Sequence, residues 1–192
     1  QFSLAPAYQP SAAPDERNRR SVYAYACRGQ ADPLMELFNQ PGPNESCEVR
    51  DTASLTPQSL TLLNSDFMLA RAAAMSARMD LRKMPLNNGI DAAFVAVLGR
   101  HATDAERDRL VDFCRDVSVR RAGPDASVRY PTQITRTLIE EFSGEPFDYT
   151  EILPTFVAYQ PDRAIAELGQ LEQAFANVCL LLTNTNEFLF VN

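Results

Sequence analysis

An apolar stripe in the last third of the chain constrains the fold more than any other feature. Large apolar residues recur there at nearly heptad spacing, which predicts a helix from about Arg163 to Thr183. From Val178 to Leu182 every residue is apolar, so this part should be buried on all sides at the centre of a bundle. The stripe consists of Ile165, Leu168, Leu171, Phe175, Val178 and Leu182. Other helices must then pack around it.

A second long helix is predicted in the middle of the chain. Thr56 suits the N-cap and Pro57 the first helical position, and Pro85 disfavours helical geometry beyond about Lys83. Apolar residues recur at three- and four-residue steps and predict one buried face, made of Leu60, Leu63, Phe67, Ala70, Ala74 and Ala77. This face is expected to pack against the segment from Val178 to Leu182.

Three shorter helices are predicted between these two. The first covers about Ile90–Leu98, after a turn at 87–89, and ends at Gly99. The second opens with a capping box of Thr103 and Glu106. The third covers 132–142, where apolar side chains share one helical face. The residues expected to be buried are Leu110, Phe113, Cys114 and Val117 in the second helix, and Ile134, Leu138, Ile139 and Phe142 in the third.

The remaining segments are predicted to be short elements and loops. Prolines at 6, 10 and 14 make 1–18 a linker or extended arm, 21–26 alternates like a short strand, and Pro33 opens a short helix. An ordered irregular loop is expected up to Leu55, and 145–161 should be a loop with one short helix at most. The predicted fold is therefore mainly α: an irregular helical bundle with long ordered loops, forming one domain over 19–192.

Charge is concentrated at the C-terminal end. The 192 residues carry a net charge of −7, and 131–192 contain nine acidic residues against Arg136 and Arg163. This balance disfavours binding to nucleic acid or an anionic membrane. It leaves open either a solvated acidic surface or a docking surface for a basic partner. No apolar run is long enough for a membrane span, and no signal peptide is visible. A start on Gln favours a piece of a longer protein over a cytoplasmic one.

The four cysteines do not form a metal or haem motif. Cys114 and Cys179 lie in apolar patterns and are predicted to be buried small hydrophobic residues. Cys27 and Cys47 lie in loop-like segments and can pair in an oxidising compartment, which would contribute about 3 kcal/mol. No cofactor or metal is predicted.

Candidate catalytic groups are few. His101 is the only histidine and is expected to be an exposed loop residue. Glu140 and Glu141 are adjacent on a predicted helix and should coat its surface, while Glu145, Asp148 and Glu151 lack the alternating pattern of a calcium loop. Phosphate-binding and zinc-protease motifs are absent from the sequence. The sequence therefore predicts no catalytic residue.

Several motifs together resemble a known family. They are Arg19-Arg20-Ser21-Val22-Tyr23, Asp32-Pro33-Leu34, Phe38-Asn39, Ser46-Cys47, Arg50, Pro57-Gln58, Leu62-Leu63-Asn64-Ser65, Leu98-Gly99-Arg100 and Asn184-x-Asn186-Glu187-Phe188. From about residue 19 to its end, the chain resembles a planctomycete-specific domain of unknown function. That domain lies at the C-terminal end of large secreted proteins that often carry cytochrome-c-like modules. The resemblance implies an extracytoplasmic (periplasmic or secreted) location and upstream modules of the same protein as partners.

Polar residues within and beside these motifs have two interpretations. They either line a ligand cleft or hydrogen-bond the 39–55 loop and the C-terminal turn to the bundle. They are Arg50, Asp51, Gln58, Asn64, Asn184, Asn186 and Glu187. We predict in particular that Arg50 pairs with Glu187, which would join the two ends of the motif set.

Two functions from different classes follow. The first is a non-catalytic docking, assembly or substrate-holding module of an exported, cytochrome-associated protein. The alternative is a carboxylate-based domain that binds or processes polysaccharide, which would need an open cleft with two facing carboxylates and aromatic side chains.

Overall fold

The computed structural model describes residues 8–24, 31–42, 48, 56–120 and 131–189, of which 119 and 120 are described by their backbone alone. The fold is mainly α, as predicted. The described residues contain no helix that is both long and apolar enough to cross a membrane. In chain order the elements are α1 (Pro14–Arg17), α2 (Pro33–Leu37), α3 (Thr56–Asn64), α4 (Asp66–Met79), α5 (Leu86–Leu98), α6 (Asp104–Arg120), β1 (Gln133–Ile139), β2 (Pro146–Ile152), α7 (Pro154–Val157), α8 (Gln170–Thr183) and α9 (Asn186–Leu189), with 3₁₀ turns at Ser21–Tyr23 and Ile165–Glu167.

The chain forms two compact units. The first unit contains Gln1–Ser54 and Ser127–Pro161, and the second contains Leu55–Ala126 and Asp162–Asn192. Two compact units can still belong to one domain that unfolds as a whole. The prediction of a single domain over 19–192 therefore stays a prediction.

The core of the second unit is built around α8. Helices α4, α5 and α6 all pack against it. Its fully buried side chains include Phe175, Val178 and Cys179, which join Ile90 of α5 and Cys114 of α6 in one cluster. The predicted central position of this segment is therefore correct. Burial on all sides is wrong, because the side chain of Leu181 is 51% exposed on the outer face.

The predicted helix from Thr56 to Lys83 is two helices. Ser65 has an extended backbone (φ −70°, ψ 143°), and its Oγ accepts a hydrogen bond from the amide of Met68 at 3.3 Å, which makes it the N-cap of α4. Because α4 starts afresh there, its buried face consists of Ala72, Ala73 and Ser76. Leu60, Leu63 and Phe67 of the predicted stripe are exposed. The predicted buried face was wrong because Ser65, a residue that can also lie inside a helix, is here the N-cap of a new helix.

Helix α5 starts four residues earlier than predicted. Asn87 and Asn88 lie in its first turn, and Gly89 is buried within the helix. A Cβ built on Gly89 would lie 2.5 Å from Leu81 Cδ2, so the glycine permits close packing and does not form a turn. Gly99 ends the helix as predicted, in the left-handed conformation (φ 71°).

The capping box of α6 is confirmed. The amide of Thr103 donates to Glu106 Oε2 at 2.8 Å, and the amide of Glu106 donates to Thr103 Oγ1 at 3.3 Å. Cys114 is buried as predicted, but Phe113 is exposed and Val111 takes its place in the core. The buried face therefore lies a fraction of a turn from the predicted one.

Helix α8 starts later than predicted, at Gln170. Ile165–Glu167 forms a 3₁₀ turn, and Gly169 is the N-cap, with its amide donating to Glu172 Oε2 at 3.0 Å. The predicted start near Arg163 was wrong because the apolar spacing runs unbroken through the cap.

A β-hairpin replaces the predicted helix at 132–142 and the first part of the predicted loop at 145–161, as far as Ile152. Strands β1 and β2 pair antiparallel, with Thr135 opposite Thr150 and Leu138 opposite Phe147. Residues 134 and 138 are four apart, a spacing that fits one face of a helix and one face of a strand alike. Alternation with Thr135 and Thr137 favours the strand. The hairpin closes through Glu140 N–H to Glu145 O (2.9 Å), with Gly144 left-handed at φ 72°.

The N-terminal segment of the first unit is tied to the chain near residue 160. The amide of Gln160 donates to the carbonyl of Ala12 at 3.0 Å, and the Arg17 guanidinium donates to the carbonyls of Ala12 (2.8 Å) and Gln160. Residues 21–23 form a 3₁₀ turn where a short strand was predicted. Helix α2 is confirmed, with Asp32 accepting from the amide of Leu34 at 2.8 Å.

Candidate functional site

The side chain of Arg100 donates five hydrogen bonds within the second unit. It follows Gly99 in the loop between α5 and α6. Its Nε and Nη2 donate to the two oxygens of Glu187 at 2.6 and 2.9 Å. Its Nη1 and Nη2 donate to the two oxygens of Glu106 at 3.0 and 2.9 Å, and Nη1 also donates to the carbonyl of His101 at 3.1 Å. A guanidinium has five N–H donors, and these contacts use all five. We call Arg100, Glu106 and Glu187 the arginine clasp.

Local structure holds each member of the arginine clasp in place. Glu106 is oriented by the capping box of α6. Glu187 lies in α9, whose start is fixed by Thr185, since Thr185 Oγ1 accepts from the amide of Phe188 at 3.3 Å. The guanidinium of Arg100 lies over the ring of Phe94, with its Cζ 5.1 Å from the ring centroid. The clasp thus joins the α5–α6 corner to the C-terminal helix.

The arginine clasp is fully charged at neutral pH. The hydrogen bonds that Arg100 donates to Glu187 and Glu106 raise the pKa of Arg100 above its ordinary value. Hydrogen bonds from Arg100 and Thr103 lower the pKa of Glu106 to about 2, and hydrogen bonds from Arg100 lower the pKa of Glu187. A glycosidase of the common two-carboxylate type needs one carboxyl that stays protonated as a general acid. Neither glutamate can fill that role, so the clasp has the chemistry of a structural tie.

The structure describes five of the seven polar residues that the sequence predicted to act together. Arg50 and Asp51 lie outside the described residues, and so does the test of an Arg50–Glu187 pair. Glu187 has Arg100 as its partner, with both carboxylate oxygens engaged. The capping box and the Leu98-Gly99-Arg100 motif marked two of the clasp residues in the sequence. Nothing in the sequence marked their meeting with Glu187, because the α5–α6 corner and α9 meet only after folding.

The other predicted site residues lie around α3 and the end of α8. Gln58 is buried on α3, and Asn186 is exposed in α9. Asn64 Nδ2 donates to the carbonyl of Leu60 at 3.0 Å. Asn184 Nδ2 donates to the carbonyls of Leu180 (2.8 Å) and Leu62 (3.3 Å) and so ties α3 to the end of α8. A ligand role for this set stays a prediction.

His101 is exposed, as predicted, and has a carboxylate partner. Its Nδ1 lies 2.6 Å from Asp91 Oδ2, and Asp91 Oδ1 accepts from the amide of Ala102 at 3.1 Å. The hydrogen bond from His101, together with that from Ala102, lowers the pKa of Asp91. The pair fixes the loop that carries Arg100.

The two described cysteines are poor nucleophiles. Burial raises the pKa of Cys114 to about 11, and burial together with Cys114 raises the pKa of Cys179 to about 12. Both thiols are fully buried, so the prediction that they are core residues is confirmed. They remain protonated at neutral pH. Cys27 and Cys47 lie outside the described residues.

Two of the acidic residues of 145–151, which lack the sequence pattern of a calcium loop, have other partners in the hairpin. Glu151 is buried and accepts a hydrogen bond from Arg136 Nε at 2.9 Å, while Asp148 accepts from Thr137 Oγ1 at 2.8 Å. The two acids lie three residues apart on β2, so they face opposite sides of the sheet. Within the described ranges, no three His, Cys, Asp or Glu side chains form a group that could hold a metal ion.

An apolar pocket of about 230 Å³ opens beside the arginine clasp, in the second unit. Phe94 and Leu98 of α5 line it together with Leu110 of α6 and Leu182 of α8. Leu181 and Arg109 also belong to its lining and are exposed. The three residues of the arginine clasp line it too, so the pocket is an apolar hollow with charged side chains in its wall.

The end of the β-hairpin forms a second candidate surface, in the first unit. We call residues 139–148 the hairpin tip. Phe142 is 95% exposed, Ile139 is 69% exposed, and Phe147 is also exposed. The tip has no basic residue and four carboxylates, those of Glu140, Glu141, Glu145 and Asp148. Hydrogen bonds from Ser143 lower the pKa of Glu140, which keeps that carboxyl ionised. An exposed aromatic ring surrounded by negative charge is suited to protein contact.

Comparison with known proteins identifies a family without an assigned activity. A family model described as PSD1, protein of unknown function (DUF1553), matches residues 3–114, more than half of the chain. The prediction of a domain of unknown function is confirmed over that range. The range includes Arg100 and Glu106 but not Glu187 or the hairpin tip. No curated protein and no solved structure matches the chain.

Proposed function

Since this chain belongs to the PSD1 family of proteins of unknown function, we propose that it is a non-catalytic docking and assembly module. Its partner in this proposal is a basic protein surface, and the contact is made by the hairpin tip. The observation that carries the proposal is Phe142, which is 95% exposed at the end of an ordered turn. An aromatic ring held out by a closed hairpin loses little conformational entropy on binding, which makes it an effective anchor.

The charge of the hairpin tip specifies the chemistry of the partner. Its four carboxylates have no basic residue among them. A partner with lysine or arginine around an apolar hollow would complement both the charge and the ring. The attraction would steer the two proteins together and would weaken as salt concentration rises.

The resemblance to a planctomycete-specific C-terminal domain suggests where such a partner would be found. Proteins with that domain are exported and often carry cytochrome-c-like modules. We therefore propose an extracytoplasmic location, with an upstream cytochrome-like module as the surface that the hairpin tip contacts. Redox chemistry would belong to that module and assembly to this one.

The chemistry of the described residues supports a non-catalytic role. Both glutamates of the arginine clasp are ionised, both described cysteines are protonated, and the five donors of Arg100 are used within the fold. The polysaccharide alternative needs two facing carboxylates of unequal pKa in an open cleft. Glu106 and Glu187, the two glutamates that line the described pocket, both have a lowered pKa, so we retain the docking function.

A titration with a basic model partner tests the proposal. We would measure binding of a lysine-rich c-type cytochrome to this chain by calorimetry at low and moderate salt. Phe142→Ala should weaken binding by about tenfold or more, as expected for an aromatic anchor at the centre of an interface. Phe113→Ala is the matched control, because it removes an exposed phenyl ring from the second unit. It should leave the affinity unchanged.

The same cytochrome with its lysines succinylated should not bind, because its charge is reversed. If the affinity for the unmodified cytochrome is the same in Phe142→Ala as in wild type, the hairpin tip is not the contact. Absence of saturable binding by the unmodified cytochrome at low salt would refute a basic, cytochrome-like partner.

A further inference from the structure

The pocket beside the arginine clasp is lined by apolar side chains of α5, α6 and α8. Phe94 and Leu182 are buried and form its base, while Leu98 and Leu110 are half-buried along its sides. Leu181, half exposed at the rim, is the residue that breaks the all-round burial of α8. Exposed leucine around a preformed hollow favours binding of an apolar group.

The size of the pocket limits what it can hold. Its volume is about 230 Å³. An apolar cavity of roughly 150 Å³ is large enough to bind benzene, so this one has room for roughly nine carbon atoms. Drug-sized ligands occupy larger pockets, on the order of 300 Å³ or more. A single short aliphatic chain is the occupant that fits.

The charged side chains around the pocket determine which polar group the aliphatic ligand should carry. Arg100 is not available, since all five of its donors are held by Glu106, Glu187 and the carbonyl of His101. Arg109 also lines the pocket. It is exposed, and no described residue forms a hydrogen bond or ion pair with it. Its guanidinium can form two parallel hydrogen bonds with a carboxylate.

We propose that this pocket binds a medium-chain aliphatic monocarboxylate, with the chain on Leu98, Leu110 and Leu181 and the carboxylate on Arg109. The site is independent of the hairpin tip, because every residue that forms it belongs to the second unit. The ionised Glu106 and Glu187 also line the pocket and repel a carboxylate, whereas the guanidinium of Arg109 attracts it. Arg109 is therefore the group on which the charged end of the ligand would lie.

Binding of octanoate, followed by methyl NMR, tests this site. Octanoate should bind saturably with a dissociation constant in the millimolar range, as expected for about ten heavy atoms. The shifted methyl signals should be those of Leu98, Leu110 and Leu181. Arg109→Gln should weaken binding about tenfold, since one charge-assisted contact is lost. Leu181→Trp should abolish binding by filling the hollow.

Two controls separate the carboxylate from general apolar binding. Arg115→Gln removes another exposed arginine from α6 outside the pocket and should leave the affinity unchanged. 1-Octanol should bind at least about fivefold more weakly than octanoate, since it lacks the charge that Arg109 pairs with. The proposal is overturned if octanoate does not saturate the protein, if 1-octanol binds equally well, or if Arg109→Gln binds as tightly as wild type in a protein with an unchanged circular dichroism spectrum. Shifts confined to residues outside the pocket would also overturn it.

Discussion

Arg100 connects three short segments that are distant in sequence: the end of α5, the capping box of α6 and the start of α9. Each carboxylate of the arginine clasp receives two charge-assisted hydrogen bonds, and the two glutamates face the same guanidinium. Without that guanidinium, two ionised carboxylates would remain beside each other with no counter-charge. Arg100 therefore stabilises the fold both by its own contacts and by separating like charges.

At this scale we predict strong coupling between Arg100 and Glu187. Arg100→Gln should lower Tm by about 2–4 °C, and Glu187→Gln by less, since it leaves the Glu106 pair intact. The double variant should be no less stable than Arg100→Gln alone, because the lost interaction is shared. Thermal melting of the four proteins measures this. Arg115→Gln combined with Glu187→Gln should be additive, and additivity in the Arg100 cycle would contradict the clasp.

Acid should weaken the arginine clasp in a defined range of pH. The folded-state pKa of Glu106 is about 2, against an ordinary value of 4.5. A lowered folded-state pKa contributes stability above the unfolded value, which is lost as pH falls through the folded one. The clasp should therefore lose stability between about pH 4.5 and about pH 2. Glu106→Gln keeps the capping box and removes the charge. Its Tm should fall less than that of wild type over this range, and equal pH profiles would contradict the assignment.

At the scale of elements, the sequence predicted where the helices of the second unit lie along the chain better than it predicted their ends. The apolar run of α8 marked the centre of the second unit, where four of the five residues from Val178 to Leu182 are buried. Boundaries failed where a cap was not recognised, as at Ser65 and Gly169, since the apolar spacing continues through both. The helix predicted at 132–142, where the structure has a hairpin, was wrong for another reason. A spacing of four fits helix and strand alike, and only the β-branched Thr135 and Thr137 between the apolar residues favour the strand.

The two faces of α8 should respond differently to truncation. Phe175 is fully buried against α5, so Phe175→Ala should cost about 3–5 kcal/mol. Leu181 is half exposed at the pocket, so Leu181→Ala should cost about 1 kcal/mol or less. Denaturant unfolding measures both. Equal losses would mean that α8 is rotated relative to the structure described.

At the scale of the whole molecule, its two units carry different features. The second unit has the buried core, the arginine clasp and the apolar pocket. The first unit exposes the hairpin tip and most of the unneutralised acidic charge of residues 131–192. The sequence placed that charge correctly, and it offered a basic partner as one interpretation. It did not reveal that Phe142 is exposed, because a helix would have turned that ring toward the core.

Hydrogen exchange in the presence of the lysine-rich c-type cytochrome tests the docking account most directly. The amides of the hairpin tip and of the adjoining parts of β1 and β2 should exchange more slowly in the complex, and Phe142→Ala should remove that protection. The amides near the arginine clasp, in 94–110 and 181–189, should exchange at unchanged rates. Protection confined to the second unit, with the hairpin tip unaffected, would contradict the account.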